Sequence, residues 1–167
     1  AVISAVGQAK GSVLVLISGG GSALLPAPAG LLTLSDKSAL NKVLLASGLG
    51  IGKMNLIRQQ VSDVKGGGML RHCLYPMTAL IFSDVVGDDL STIASGPTAP
   101  PLGTSAQAIA ELCEAGIWDA IPLAVRTHLE TAMFQLICCP HAMFWWVQTA
   151  NVWLRWSGVV DGIALEL

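Results

Sequence analysis

Charged side chains are scarce in this sequence. Asp, Glu, Lys and Arg make up 12% of its 167 residues, about half the usual share of roughly 25%. Nine basic residues stand against eleven acidic ones, so no excess of positive charge is available to neutralise a nucleic acid backbone. We therefore expect no nucleic acid partner.

Long apolar runs are missing as well. No stretch of 18 or more apolar residues occurs, and the start lacks a basic segment followed by an apolar one, so neither a membrane partner nor a signal peptide is expected. A cytoplasmic location is the prediction. Apolar residues nevertheless make up 53% of the chain, which opens on Ala1 without an initiator Met. Both observations indicate a fragment.

Two short apolar runs predict buried parallel strands. Val13 to Ile17 stops at a glycine-rich segment, and Met77 to Phe82 ends at Ser83-Asp84. Helix signals lie between and after these runs. This order predicts an α/β fold, a three-layer Rossmann-like parallel sheet flanked by helices, of which the chain holds part.

Capping residues mark where two of the helices begin. Thr104 with Gln107 three residues later forms the pattern of a capping box. Ser35 is predicted to be the N-cap of a helix that carries Leu40 and Leu44 on one side.

The composition changes after about Thr131. Four of the five tryptophans follow, and from Ala132 to Leu165 only Arg155 and Asp161 are charged. We therefore divide the chain into residues 1–131, part of an α/β domain, and an atypical Trp-rich tail, 132–167. A non-native or frameshifted tail, an aromatic core segment and a membrane-surface helix all stay open, the last disfavoured by its single arginine.

Four polar side chains recur at spacings of three, four and three. On a helix from roughly Met54 to Lys65, the residues Asn55, Arg58, Ser62 and Lys65 would fall within an arc of roughly 80°. Such a face suits an anionic small molecule. The alternative is a solvated face on which the two cations lie along apolar neighbours.

Glycines follow the first predicted strand directly. Gly19, Gly20 and Gly21 leave backbone N–H groups free to surround an anion, and Ser22 adds a hydroxyl. A plain tight turn would explain the glycines equally well. The pattern is not a Walker A loop.

Carboxylates follow the second predicted strand. Asp84 and Asp88 lie where open α/β sheets bind their ligands, and they could hold Mg²⁺ or accept a proton. A solvated acidic turn is the alternative. Ser95 and Gly96 could add another small-residue turn beside a ligand. Anion-binding glycines, cations and carboxylates together are the parts that phosphoryl transfer needs.

Three motifs in order resemble the glycerate kinase family with a MOFRL domain, the class II glycerate 2-kinases. They are Leu16 to Pro28, then Asn55-x-x-Arg58-x-x-x-Ser62-x-x-Lys65-Gly66-Gly67, and then Ser83 to Asp88 followed by Ile93 to Thr98. The resemblance covers roughly residues 10 to 130.

The resemblance implies ATP-dependent phosphorylation of glycerate, with ATP and Mg²⁺, at a site between two domains. It implies that Arg58 and Lys65 neutralise charge on the substrate carboxylate or the transferring phosphoryl group, and that Asp84 and Asp88 bind metal or accept a proton. The residues implied to bind substrate or phosphate are Gly19, Gly20, Gly21, Ser22, Asn55, Ser62, Ser95 and Gly96.

Two other interpretations remain open at this point. Some members of the family carry a hydroxypyruvate reductase label, which we disfavour because no nicotinamide-binding fingerprint occurs. The chain could also be a truncated, non-enzymatic fragment that meets a missing domain or a second copy through exposed apolar surface.

Overall fold

The computed structural model describes residues 1–132 and, beyond them, only the backbone of three strands. The helices are α1 (Val2–Gly7), α2 (Leu34–Ala46), α3 (Ile51–Gln60), α4 (Ser105–Glu114) and α5 (Leu123–Ala132). The strands are β1 (Val13–Ser18), β2 (Met77–Phe82), β3 (Met143–Gln148), β4 (Trp153–Val159) and β5 (Gly162–Glu166). Short 3-10 helices occupy Gly19–Leu24, Gly68–His72, Ile93–Ser95 and Trp118–Ala120.

The five strands form one sheet in the order β1-β2-β3-β4-β5. The first three are parallel, with Val13 opposite Met77, and the last two are joined in antiparallel pairs. The predicted α/β class, a parallel sheet flanked by helices, is confirmed. The division at residue 131 stays a prediction, since the side chains of the Trp-rich tail lie outside the described residues.

The two faces of β1 and β2 differ in burial because successive side chains point to opposite sides of a strand. Ile17 and Ile81 lie on the face covered by the helices and turns of residues 1–132 and are 6% and 3% exposed. On the other face, Leu14, Leu16 and Phe82 are 62%, 70% and 63% exposed. Within the described residues, β1 and β2 therefore present one apolar face that is largely exposed.

Helices α2 to α5 share a separate hydrophobic core. Its most deeply buried members, at 0% or 1% exposure, are Leu40, Leu44, Ile57, Val61, Ala108, Leu112, Val125 and Leu129. The capping box predicted at Thr104 is confirmed, with Gln107 as its third residue.

The N-cap of α2 is Thr33, so the prediction of Ser35 is wrong. Thr33 accepts the N–H of Asp36, and the Asp36 carboxylate accepts the N–H of Thr33. A cap at Ser35 would have put Ser38 at the third helical position, and serine there lacks the carboxylate or amide that completes the box.

None of the helices within the described residues has both the length and the apolar character that a membrane crossing needs.

Candidate active site

The predicted helical face of four polar residues is wrong, because α3 ends at Gln60. At Val61 the backbone leaves the helix, with φ −102° and ψ 21°. Ser62 then forms an antiparallel bridge with Pro28, and the N–H of Asp63 donates to the Ala27 carbonyl. These contacts with an earlier loop stop the helix, although the apolar pattern continues.

Lys65 reaches the glycine-rich loop nevertheless. Its Nζ donates to Ser22 Oγ at 2.9 Å, and Ser22 Oγ lies 3.0 Å from Ser95 Oγ. The Ser62 hydroxyl accepts the N–H groups of Val64 and Lys65, both at 3.4 Å, and so shapes the turn before Lys65. The Ser22 hydroxyl of the glycine-rich motif is therefore the point where Lys65 of the second motif and Ser95 of the third meet.

A left-handed backbone run positions Ser95. Ala94, Ser95 and Gly96 have φ values of 51°, 63° and 61°, a conformation that costs a non-glycine residue roughly 1 to 2 kcal/mol. The N–H of Gly66 donates to the Ser95 carbonyl at 3.0 Å, and that of Gly67 donates to the Gly96 carbonyl at 2.8 Å. The turn after α3 thus holds the strained segment in place.

Gly96 fits in this segment because it has no side chain. A Cβ there would lie 2.9 Å from the Ser91 carbonyl oxygen, and its own N–H already donates to Ile93. Its predicted contact with phosphate would therefore not use this amide.

Gln59 is a site residue that the sequence analysis missed. Its side chain is 3% exposed; Nε2 donates to the carbonyls of Ser91 and Ser95, and Oε1 accepts the N–H of Leu102. One buried amide therefore ties α3 to segment 91–102. The only signal in the sequence was a glutamine four residues after Asn55, on the same helix face.

Asp84 lies directly against the glycine loop. A Cβ placed on Gly19 would fall 1.6 Å from Asp84 Oδ1, so only glycine leaves room for this carboxylate. By contrast, no atom of another residue within 1–132 lies within 4 Å of the corresponding positions at Gly20 and Gly21. The ends of β1 and β2 therefore bring Asp84 and the loop together.

The other two carboxylates of this loop differ in their surroundings. Asp89 accepts from the N–H and Oγ of Ser91 and from Thr92 Oγ1, bonds that lower the pKa of Asp89. Asp88 has φ 52° and, within residues 1–132, no ion-pair partner. No group of three His, Cys, Asp or Glu side chains in the described part of the chain could hold a metal ion unaided.

Arg58 and Lys65 are partly buried cations. Arg58 Nε donates to Asn41 Oδ1 at 2.8 Å. Burial lowers the pKa of both side chains, and repulsion by Arg58 lowers that of Lys65 further. The ion pairs found among the described residues involve neither cation. Two desolvated positive charges beside each other favour an anionic ligand.

Lys37 is a second residue that the sequence analysis missed. Its ammonium donates to the Pro26 carbonyl. Burial lowers the pKa of Lys37 to about 8, and Lys65 contributes to that shift by repulsion while Asp63 opposes it. A lysine near the N-terminus of a helix is unfavourable to the helix dipole, and this was the available signal.

The remaining predicted residues are buried beside these groups. Ser62 is 2% exposed and donates to the Ala27 carbonyl at 3.2 Å. Asn55 is 7% exposed. Lys65 also borders an open cleft of about 660 Å³, together with Asp63, Arg71 and His128, a volume typical of small-molecule sites.

Comparison with known proteins agrees with the motifs. A family model described as "Domain of unknown function (DUF4147)" matches residues 1–130. The glycerate kinase of Bos taurus is 47% identical over 122 residues, which are 72% of this chain and 23% of that protein. A protein of Agrobacterium vitis with a hydroxypyruvate reductase name is 51% identical over 106 residues, 63% of this chain and 24% of its own length.

A solved structure shares the fold. The crystal structure of glycerate kinase from Thermotoga maritima superposes with a TM-score of 0.75 at 32% identity, over 87% of this chain and 35% of that one. The chain thus spans about a quarter of the length of the curated relatives it matches. The resemblance to glycerate kinases is confirmed, and with residues 1–130 matched, the chain belongs to the DUF4147 family.

Proposed function

We propose that this chain forms one wall of a site for ATP-dependent phosphorylation of glycerate. The observation that carries the proposal is the pair of partly buried cations, Arg58 and Lys65, which have no carboxylate partner among the described residues and adjoin Ser22. Glycerate and the transferring phosphoryl group are both negatively charged. A desolvated positive pair is suited to hold them.

The free donors of Arg58 suit a carboxylate. Its Nε is engaged by Asn41, which leaves the two terminal nitrogens to donate in a bidentate pair. Lys65 is a point charge fixed by Ser22 and would face the phosphoryl oxygens. Gly20 and Gly21 have no other described residue within 4 Å of where a Cβ would lie, which would let phosphate approach the loop.

The reaction needs a proton acceptor. In the proposed step a glycerate hydroxyl oxygen bonds to the γ-phosphorus, the bond from that phosphorus to the ADP oxygen breaks, and the hydroxyl proton leaves. Asp84, held over Gly19 at the strand ends, is the proposed acceptor. Which of the two hydroxyls reacts depends on how the carboxylate is oriented.

The carboxylates of this loop suit the Mg²⁺ ion that accompanies ATP. Mg²⁺ commonly uses one or two protein carboxylates and completes its octahedron with substrate phosphates and water. Asp88 would provide one such ligand, and Asp84 would provide the second in the alternative in which it binds metal and does not accept the proton. The ion would neutralise phosphate charge during transfer.

The opposite wall of the site would come from elsewhere. The matched relatives are about four times longer than the segment they share with this chain, and a second domain of MOFRL type would supply the remaining contacts to nucleotide. The exposed face of Leu14, Leu16 and Phe82 on β1 and β2 is a candidate surface for such a contact.

ADP release with glycerate and Mg·ATP, measured on the intact protein, tests the proposal. Arg58→Ala, Lys65→Ala and Asp84→Ala should each lower kcat/KM by about 100-fold or more. Lys53→Ala is the matched control, since Lys53 pairs with Glu111 outside the site. Wild-type turnover in the three site variants would refute the assignment. Oxidation of NADH with hydroxypyruvate, in place of ADP release, would favour the reductase alternative.

A further inference from the structure

Helix α2 faces the site with two side chains one turn apart. Asn41 Oδ1 accepts from Arg58 Nε at 2.8 Å, and Lys37 lies four residues earlier on the same helix. Residues at this spacing share a helix face. The face that holds Arg58 therefore also presents the Lys37 ammonium.

The Pro26 loop links Lys37 to the turn that carries Lys65. Lys37 donates to the Pro26 carbonyl. The next residue, Ala27, accepts from the N–H of Asp63 at 3.0 Å and from Ser62 Oγ at 3.2 Å. This places the two ammonium groups near each other, in agreement with the repulsion between Lys37 and Lys65.

Asp63 offsets only part of this positive charge. Among the described residues it is the acidic side chain that raises the pKa of Lys37, and its carboxylate also lies 3.8 Å from Arg71 Nη2. Lys37, Arg58 and Lys65 thus form a cluster of three positive charges, without a salt bridge to any described residue. Holding three like charges together is unfavourable until a ligand with several negative charges binds.

Building on the proposed function, we propose that Lys37 is a third cationic ligand of the site, and that the cluster binds a phosphorylated carboxylate more tightly than the unphosphorylated acid. A phosphoglycerate has about three negative charges near neutral pH and glycerate has one. The cluster matches the product in charge. Product would therefore leave more slowly than substrate.

Binding should also take up a proton at alkaline pH. The pKa of Lys37 is about 8 in the free protein, and an anion beside the ammonium raises it. The groups that face Lys37 are the Pro26 carbonyl, Lys65 and Asp63, with Arg58 held one turn along α2. Burial also lowers the pKa of Lys65, so the part of the proton uptake that is lost on replacing Lys37 reports on Lys37.

Calorimetric titration of the intact protein with 2-phosphoglycerate and with glycerate tests the proposal. Wild type should bind 2-phosphoglycerate about tenfold tighter or more. Lys37→Met should remove about tenfold of that affinity, change glycerate affinity less than about threefold, and reduce proton uptake at pH 8.3. Lys37→Arg should retain the preference. Lys42→Met, an exposed lysine of α2, is the control.

Equal affinities for the two ligands in wild type, no binding of 2-phosphoglycerate, or unchanged binding in Lys37→Met would overturn the inference. Circular dichroism of the variants establishes that they are folded. If 2-phosphoglycerate binds in a way that depends on Lys37 but glycerate causes no ADP release, the kinase function is rejected and the cation cluster remains a binding site. If the protein releases ADP with glycerate but Lys37→Met binds 2-phosphoglycerate as tightly as wild type, the role of Lys37 is rejected and the kinase function stands.

Discussion

Lys65 Nζ lies 2.9 Å from Ser22 Oγ and joins the turn after α3 to the glycine-rich loop after β1. The two residues are 43 positions apart in the sequence. Because Ser22 Oγ also meets Ser95 Oγ at 3.0 Å, one hydroxyl fixes a cation and a strained segment together.

Loss of the Ser22 hydroxyl should affect activity more than stability. Hydrogen bonds to charged groups contribute about 1.5 to 3 kcal/mol, so Ser22→Ala should lower kcat/KM by roughly 10- to 100-fold in the ADP-release assay. Ser22 is only partly buried, and the free energy of unfolding in urea should fall by less than about 1 kcal/mol. Ser38→Ala, at an exposed position of α2, should change neither. A kcat/KM within twofold of wild type would contradict the role of Ser22.

A methyl group on Gly19 should displace Asp84. The added carbon would meet the carboxylate at 1.6 Å, and the side chain must move away, so Gly19→Ala should lose about 1 to 3 kcal/mol of stability. Its activity should fall to that of Asp84→Ala. Gly11→Ala is the steric control, since Gly11 is exposed before β1 and no atom of another described residue lies within 4 Å of the new carbon. Full activity in Gly19→Ala would show that Asp84 does not accept the proton.

Replacement of Gln59 should destabilise the whole domain. Gln59→Leu removes two donated bonds and one accepted bond in a buried setting and leaves the N–H of Leu102 without that acceptor. The expected loss is about 2 to 4 kcal/mol in urea unfolding. Gln8→Leu, at an exposed position after α1, should change stability by less than about 0.5 kcal/mol. An equally small change in Gln59→Leu would mean that segment 91–102 is held by other contacts.

Removal of the Lys37 charge should stabilise the protein at neutral pH. The pKa of Lys37 is lowered from 10.5 to about 8 in the folded state, so between these values the unfolded chain binds more protons and wild-type stability rises with pH. Below pH 8 the charged ammonium destabilises the fold in full. Lys37→Met should therefore melt at a higher temperature than wild type at pH 7, and the difference should shrink from pH 8 to 10.5. A difference that does not depend on pH would contradict the shifted pKa.

Local patterns predicted much of the fold. The strand Met77–Phe82 and the capping box at Thr104 agree with the sequence analysis, because short-range hydrogen bonds and hydrophobic runs decide them. The predicted end of α3 at Lys65 was wrong. Ser62 bridges to Pro28, a partner 34 positions earlier that helix periodicity does not detect.

The same distinction explains the site residues. The sequence placed Asp84 at the ligand-binding end of the second strand, by the rule that open α/β sheets bind ligands beyond the carboxyl ends of their strands. Lys37 was missed because its partners, the Pro26 carbonyl and Lys65, belong to two other segments. Gln59 was missed because only the folded chain shows which carbonyls its amide meets.

The cation cluster depends on the first turn of α2, which the capping box at Thr33 stabilises. Lys37 is the fourth residue of α2, and its backbone N–H donates to the Thr33 carbonyl, whereas Leu40 and Leu44 anchor the rest of the helix in the core. If this first turn frays, the Lys37 ammonium leaves while Asn41 keeps Arg58 in place. The number of positive charges offered to a ligand is then set by a local order–disorder equilibrium, which substitution of Thr33 would shift without changing any group that touches the ligand.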